Sequence, residues 1–244
     1  MRAELEEDMA WRLDEIRHLG NRLLLEHDPE DWPVFSLRAI LVMQYAHLEG
    51  FTRNALSLYV AAINAKCLPA EDLQPELLAA ALSVEFDNLR KSSSREGLED
   101  EGRLTTRARH QTAFVQRIQE LSKGSLSIVA EVAVSMEMNL GSDVLKRSLV
   151  ALGIPVTRVT RDQYTSIDFV KRVRNDIAHG SRKENIPKGM FDAHLKKCET
   201  FMGDLARVLT QAVAEEWYRI ARPSIPEMRG ASAPEASSGI EVDG

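Results

Sequence analysis

Residues 34–66 read VFSLRAILVMQYAHLEGFTRNALSLYVAAINAK. Leu37, Ile40, Leu41, Met43, Tyr45, Leu48, Phe51, Ala55, Leu58, Tyr59, Ala62 and Ile63 recur at spacings of three and four, the period of an α-helix. The apolar positions cover more than one face, so this helix is expected to run through the core of a helical protein, with partners on several sides.

Shorter amphipathic patterns flank it. Leu5, Met9, Leu13, Ile16, Leu19 and Leu23 describe a helix over 5–25, closed by Asp28-Pro29. Helix is expected again over 73–89 and 107–121, and 91–102, with its serines and glycines among charges, is expected to be a mobile loop. The stretch 125–134 suits either a helix or a short strand. Asn139 or Ser142 is placed to cap a short helix over 143–152, which stops at Gly153-Ile154-Pro155. A helix over 162–179 puts Ile167, Val170, Val173 and Ile177 on its buried side, with Gly180 placed to end it. After Pro187 a long amphipathic helix runs through Phe191, Leu195, Cys198, Met202, Leu205, Leu209 and Val213 to Trp217. The expected organisation is a single all-α domain over 1–221 and a disordered tail over 222–244, rich in Pro, Ser, Gly and Ala.

Composition agrees with helix: aromatic residues make up 6% of the chain, and Leu, Ala, Glu and Arg dominate it. The first residues are acidic and lack the apolar run of a signal peptide, and no apolar stretch approaches the roughly 20 residues of a membrane span. A cytoplasmic protein without membrane partners is expected. Cys67 and Cys198 stand alone, without the spacing of a zinc site or a disulfide framework, and read as buried or half-buried thiols. His18, His27, His110 and His194 form no ligand pattern, and no glycine-rich phosphate loop appears. Neither a metal nor another cofactor is expected. The formal net charge of -6 argues against a nucleic-acid partner until its distribution is considered. Between Arg103 and Lys183 there are 14 Lys and Arg against 7 Asp and Glu, so the middle of the chain is basic and the ends are acidic.

Within that basic region, Val173-Arg174-Asn175-Asp176-Ile177-Ala178-His179-Gly180 places a guanidinium, an amide, a carboxylate and an imidazole at the last turns of a helix. Arg174 and His179 are separated by about 140° of rotation and about 7.5 Å of rise on an ideal helix. A compact site therefore needs a bend or a second copy of the helix. Spacing alone better suits a solvated helix end, where His179 interacts with the C-terminal dipole.

Three blocks in order decide between these readings: Tyr45-Ala46-His47-Leu48-Glu49-Gly50-Phe51 in the long helix, Asn139-Leu140 leading to the short helix that ends at Leu152-Gly153-Ile154, and Arg174 to Gly180. With them the chain resembles the HEPN superfamily of helical nucleases and nucleotide-binding domains, most closely its bacterial MAE-type branch. The third block matches that family's Arg, four to six residues, His signature, with Asn after the Arg. The resemblance implies a HEPN-type helical bundle with an added N-terminal helix and a long C-terminal helix. It further implies a metal-independent endoribonuclease that leaves a 2′,3′-cyclic phosphate, formed where the motif helices of two protomers meet in a homodimer. Arg174 and His179 would act on the RNA. Asn175 would orient the phosphate or His179, unless it is only a solvated or interface residue. Glu49 would pair with Arg174 or His179, unless it serves a structural ion pair elsewhere. Tyr45 can share a face with Glu49 or simply pack in the core; His47 is assigned no role. Lys171, Arg172, Arg182 and Lys183 would guide the RNA backbone, unless they form a solvated face. A toxin or defence role, with an antitoxin or sensor protein as partner, follows from the resemblance alone. Two other readings remain at this stage: a non-catalytic HEPN module that binds RNA or protein, and a helical adaptor in a larger complex.

Overall fold

The computed structural model describes residues 1–28, 31–94, 100–124, 127–130, 139–181 and 186–220. Eight α-helices lie among these: α1 (Arg2–Leu24), α2 (Val34–Asn64), α3 (Pro75–Ala81), α4 (Ser83–Ser94), α5 (Asp100–Leu121), α6 (Ser142–Ala151), α7 (Arg161–Ala178) and α8 (Lys188–Ala214). No strand occurs among the described residues; one isolated antiparallel bridge joins Leu73 to Arg219. The protein is an all-α bundle in which α2 packs against α1, α7 and α8. Fifteen residues of α2 are buried, among them Tyr45, Leu48, Phe51 and Tyr59, as its broad apolar pattern requires. None of the helices described is long and apolar enough to cross a membrane.

Polar contacts fix α1 on α2. Asp8 accepts hydrogen bonds from Trp11 Nε1 (2.9 Å), Arg12 Nε (3.1 Å) and, across the interface, Asn54 Nδ2 (3.0 Å). His47, given no role from sequence, is buried in the same contact, with Nε2 2.8 Å from Glu15 Oε2 and its ring edge-on to Trp11. At the other end of the chain, Gln74 N donates to Tyr218 O (2.9 Å) and Ile220 N to Asp72 O (3.0 Å), which ties the segment after α8 to the start of α3.

Several expected boundaries shift. The helix expected over 73–89 is two helices, α3 and α4, broken at Leu82. Helix extends into the expected loop from both sides, through Ser94 and from Asp100, and 95–99 lie outside the described residues. Most of 125–134 and all of 222–244 also lie outside them. Cys198 is buried, and burial pushes its thiol up to about 12, whereas Cys67 is exposed rather than half-buried. Neither Asn139 nor Ser142 caps α6. The cap position is Gly141, and the Ser142 amide instead donates to Asp168 Oδ1 of α7 at 2.8 Å. A carboxylate from the neighbouring helix thus meets the positive end of α6.

Candidate functional site

Helix α7 carries the Arg–His motif, and its two ends are firmly defined. At its start, Thr160 and Gln163 form a capping box: the Gln163 amide donates to Thr160 Oγ1 (3.3 Å) and the Thr160 amide to Gln163 Oε1 (2.9 Å). At its end, Ser181 N donates to Asp176 O (2.9 Å) and Gly180 N to Ile177 O (3.1 Å), with Gly180 at φ +71°. That pair of bonds is a Schellman closure, which needs a left-handed residue after the C-cap. His179 is therefore the C-cap itself. It is exposed, and its imidazole enters no hydrogen bond or ion pair among the described residues.

Arg174, one turn and a half earlier, is held from three directions. Its Nη1 donates to Asn175 Oδ1 at 2.9 Å, its guanidinium carbon lies 4.2 Å from the centre of the Tyr45 ring, and its Nη2 is 3.8 Å from Glu49 Oε2. Tyr45 and Glu49 are one turn apart on α2 and so present a common face to α7. The Tyr45 ring is fully buried, a fixed platform below a planar cation. Its hydroxyl lies 3.2 Å from both Asn139 Oδ1 and Leu140 O. Burial, with the Glu49 carboxylate nearby, pushes the Tyr45 phenol up to about 12, so it stays a neutral hydrogen-bond donor.

Glu49 is 15% exposed and lies between two guanidiniums, Arg174 and, at 3.9 Å from Oε1, Arg53. Neither is at direct hydrogen-bonding distance, and Oε1 is buried without a hydrogen-bond partner among the described residues. The carboxylate thus acts on Arg174 as a nearby counter-charge. Arg174 remains 25% exposed, and a guanidinium has five N–H donors, so the contacts above leave donors for an anionic ligand.

The residues expected at the site are thus partly assembled. Arg174, Asn175, Glu49 and Tyr45 come together, and Asn139, expected as a helix cap, instead joins them through the Tyr45 hydroxyl. His179 does not join them within one chain. Lys171 is half-buried, packed so closely on the backbone of Gly141 that a Cβ there would come within 2.8 Å of Nζ. Arg172 is exposed, its guanidinium 5.8 Å from the centre of the Phe169 ring. Arg182 and Lys183 lie outside the described residues. Among the described residues no group of three or more His, Cys, Asp or Glu is close enough together to hold a metal ion.

The all-α bundle agrees with a family model described as HEPN_MAE_28990-like HEPN, which matches residues 1–218. The chain belongs to this HEPN family. No curated protein and no solved structure is detectably similar to it. Membership in the HEPN family is compatible with nuclease activity or with RNA binding, and the geometry around Arg174 bears on which of these applies here.

Proposed function

We propose that the protein is a metal-independent endoribonuclease whose reaction uses Arg174 and His179. The observation that carries this reading is the state of Arg174: the guanidinium is oriented by Asn175, the Tyr45 ring and Glu49, yet remains open to solvent. A cation held in place with donors to spare is suited to grip a phosphate and to stabilise the charge that grows on its oxygens in the transition state. An arginine serving only as a structural ion pair would be closed over by its partners.

In the proposed reaction the ribose 2′-oxygen attacks the adjacent phosphorus, the bond from phosphorus to the 5′-oxygen breaks, and the products are a 2′,3′-cyclic phosphate and a free 5′-hydroxyl. One proton leaves the 2′-hydroxyl and one is delivered to the departing 5′-oxygen. Imidazole can perform either transfer because its ordinary pKa lies near physiological pH. One chain offers a single exposed His179 that does not touch Arg174. A two-fold pairing of α7 with its symmetry mate would supply two imidazoles and two guanidiniums, one imidazole for each proton. A homodimer is therefore part of the proposal, with Asn175 and Glu49 as positioning residues for Arg174 and Lys171, Arg172, Arg182 and Lys183 as contacts to the RNA backbone. In a cytoplasmic setting such an activity suits a toxin or defence effector restrained by an antitoxin or sensor protein.

The test is incubation of purified protein with total RNA in excess chelator, with product ends analysed. Cleavage leaving 2′,3′-cyclic phosphates supports the reading. Binding without cleavage would replace it with a non-catalytic HEPN module, and a stable complex that ignores RNA would point to an adaptor.

A further inference from the structure

A second polar feature lies on α7, away from the Arg174 cluster but joined to it. Tyr164, Asp168, Lys171 and Asn175 follow one another at spacings of four, three and four, so they form one face of the helix over about 16 Å. The segment from Asn139 to Ser142 crosses this face. At one end, Asn139 meets the Tyr45 hydroxyl beneath Arg174; in the middle, Gly141 lies against Lys171; at the other end, Ser142 lines a shallow, open cavity of about 400 Å³. That cavity is walled by Val156, Val159 and Tyr164 and also lined by Lys146, Arg161 and Thr157.

Its lining combines apolar side chains with cations. Val156, Val159 and the half-buried Tyr164 ring offer an apolar wall for a base, and Tyr164 is held in place by a hydrogen bond from its hydroxyl to Val156 O at 2.9 Å. Lys146 Nζ lies over the face of that ring, 4.8 Å from its centre, and Arg161 is exposed; a base taking the ring face would move the ammonium onto the phosphate backbone, where Arg161 also borders the wall. The acid among the lining residues, Asp168, is occupied by the Ser142 amide and sits beside Lys171, which reduces its repulsion of an anion.

We infer that single-stranded RNA runs from the Arg174 cluster over Lys171 into this cavity, where a base flanking the cleaved phosphate is seated against Tyr164 with Lys146 and Arg161 on its backbone. The inference deepens the ribonuclease reading and rests on it. Single strands fit because an apolar wall can receive only an unpaired base, and wall plus cations is the usual combination for gripping one.

The test measures binding of a short fluorescent RNA to full-length protein carrying His179→Ala, so that cleavage does not interfere. Adding Lys146→Glu with Arg161→Glu is expected to weaken binding about tenfold or more, and to lower the slope of log affinity against log salt by about 1.4. Thr157→Trp, at an exposed position, is expected to fill the cavity and weaken binding with the salt slope unchanged. Lys66→Glu, exposed beyond the far end of α2, serves as the charge control. The track is overturned if the charge-reversal pair and Thr157→Trp bind like Lys66→Glu, or if duplex RNA of the same sequence binds as tightly as the single strand. Cleavage by the wild-type protein is scored separately: its absence defeats the ribonuclease reading, while unchanged binding by the variants defeats only the track.

Discussion

Replacing Glu49 by Gln, Arg174 by Ala, and both together measures whether the acid holds the arginine. At 3.8 Å and an effective dielectric near 20 the attraction between the two charges is about 4 kcal/mol before desolvation is counted. Several reductions apply. The pair is not at hydrogen-bonding distance, Arg174 is 25% exposed, and a largely buried carboxylate is costly to desolvate. A net coupling of about 1 kcal/mol is expected from the double-mutant cycle. Glu49→Gln alone should lower the thermal midpoint by about 2–4 °C, the usual effect of 1 kcal/mol in a domain of 150–250 residues. Glu26→Gln, exposed near the end of α1, should leave it unchanged. If Glu49 positions Arg174, RNA cleavage should fall with Glu49→Gln mainly through kcat, and Glu49→Asp should restore part of it. The stability cycle is read by denaturant unfolding with circular dichroism. A coupling indistinguishable from zero, together with equal effects of Glu49→Gln and Glu26→Gln, would refute the assignment and make Glu49 an ordinary helix acid.

Other consequences follow from the same contacts. Tyr45→Phe keeps the ring beneath Arg174 but removes the hydroxyl from Asn139 and Leu140; it should cost about 1 kcal/mol in unfolding experiments and change cleavage only a few-fold. Gln44 is buried with neither amide atom hydrogen-bonded among the described residues, so Gln44→Leu should stabilise the protein by about 1 kcal/mol; a clear loss of stability would show that its amide has a partner. All four tyrosines are raised above the ordinary phenol value, chiefly by burial, and Tyr45 to about 12. A raised folded pKa means stability intact below about pH 10 and lost as pH climbs above it, so absorbance titration of the folded protein should show phenolate appearing at higher pH than in the unfolded chain.

Much of this architecture is legible in the sequence because it depends on local periodicity. The broad apolar pattern of α2 marks it as central, and Ile167, Val170 and Val173 identify the buried face of α7. Gly180 also foretells its own role, since a left-handed closure favours glycine. What escaped the reading is long-range or depends on small geometric choices. The capping box of Thr160 and Gln163 is written in the sequence as a Thr three residues before a Gln, although apolar periodicity starts the helix only at Asp162. The cap of α6 comes from Asp168, which no local pattern around Asn139 or Ser142 can announce. At the site, Arg174 is one of the two partners, with His179, that the resemblance offers for Glu49, and Arg53, one turn further along α2, is a partner that spacing alone suggests. The place of the Tyr45 ring beneath Arg174 could not, because stacking depends on how α2 and α7 cross.

The central claim is that His179 transfers protons in an RNA-cleaving reaction, and the most direct measurement is the cleavage rate of His179→Ala in excess chelator beside wild type. His179 is exposed and its imidazole enters no hydrogen bond or ion pair among the described residues, so its truncation should leave helicity, dimerisation and RNA binding nearly intact. Loss of acid–base assistance should lower the rate by about 10²–10⁴-fold. Arg174→Ala should also silence cleavage but weaken RNA binding as well, because the guanidinium grips phosphate before and during the reaction. A His179→Ala protein that cleaves RNA at the wild-type rate would contradict the account.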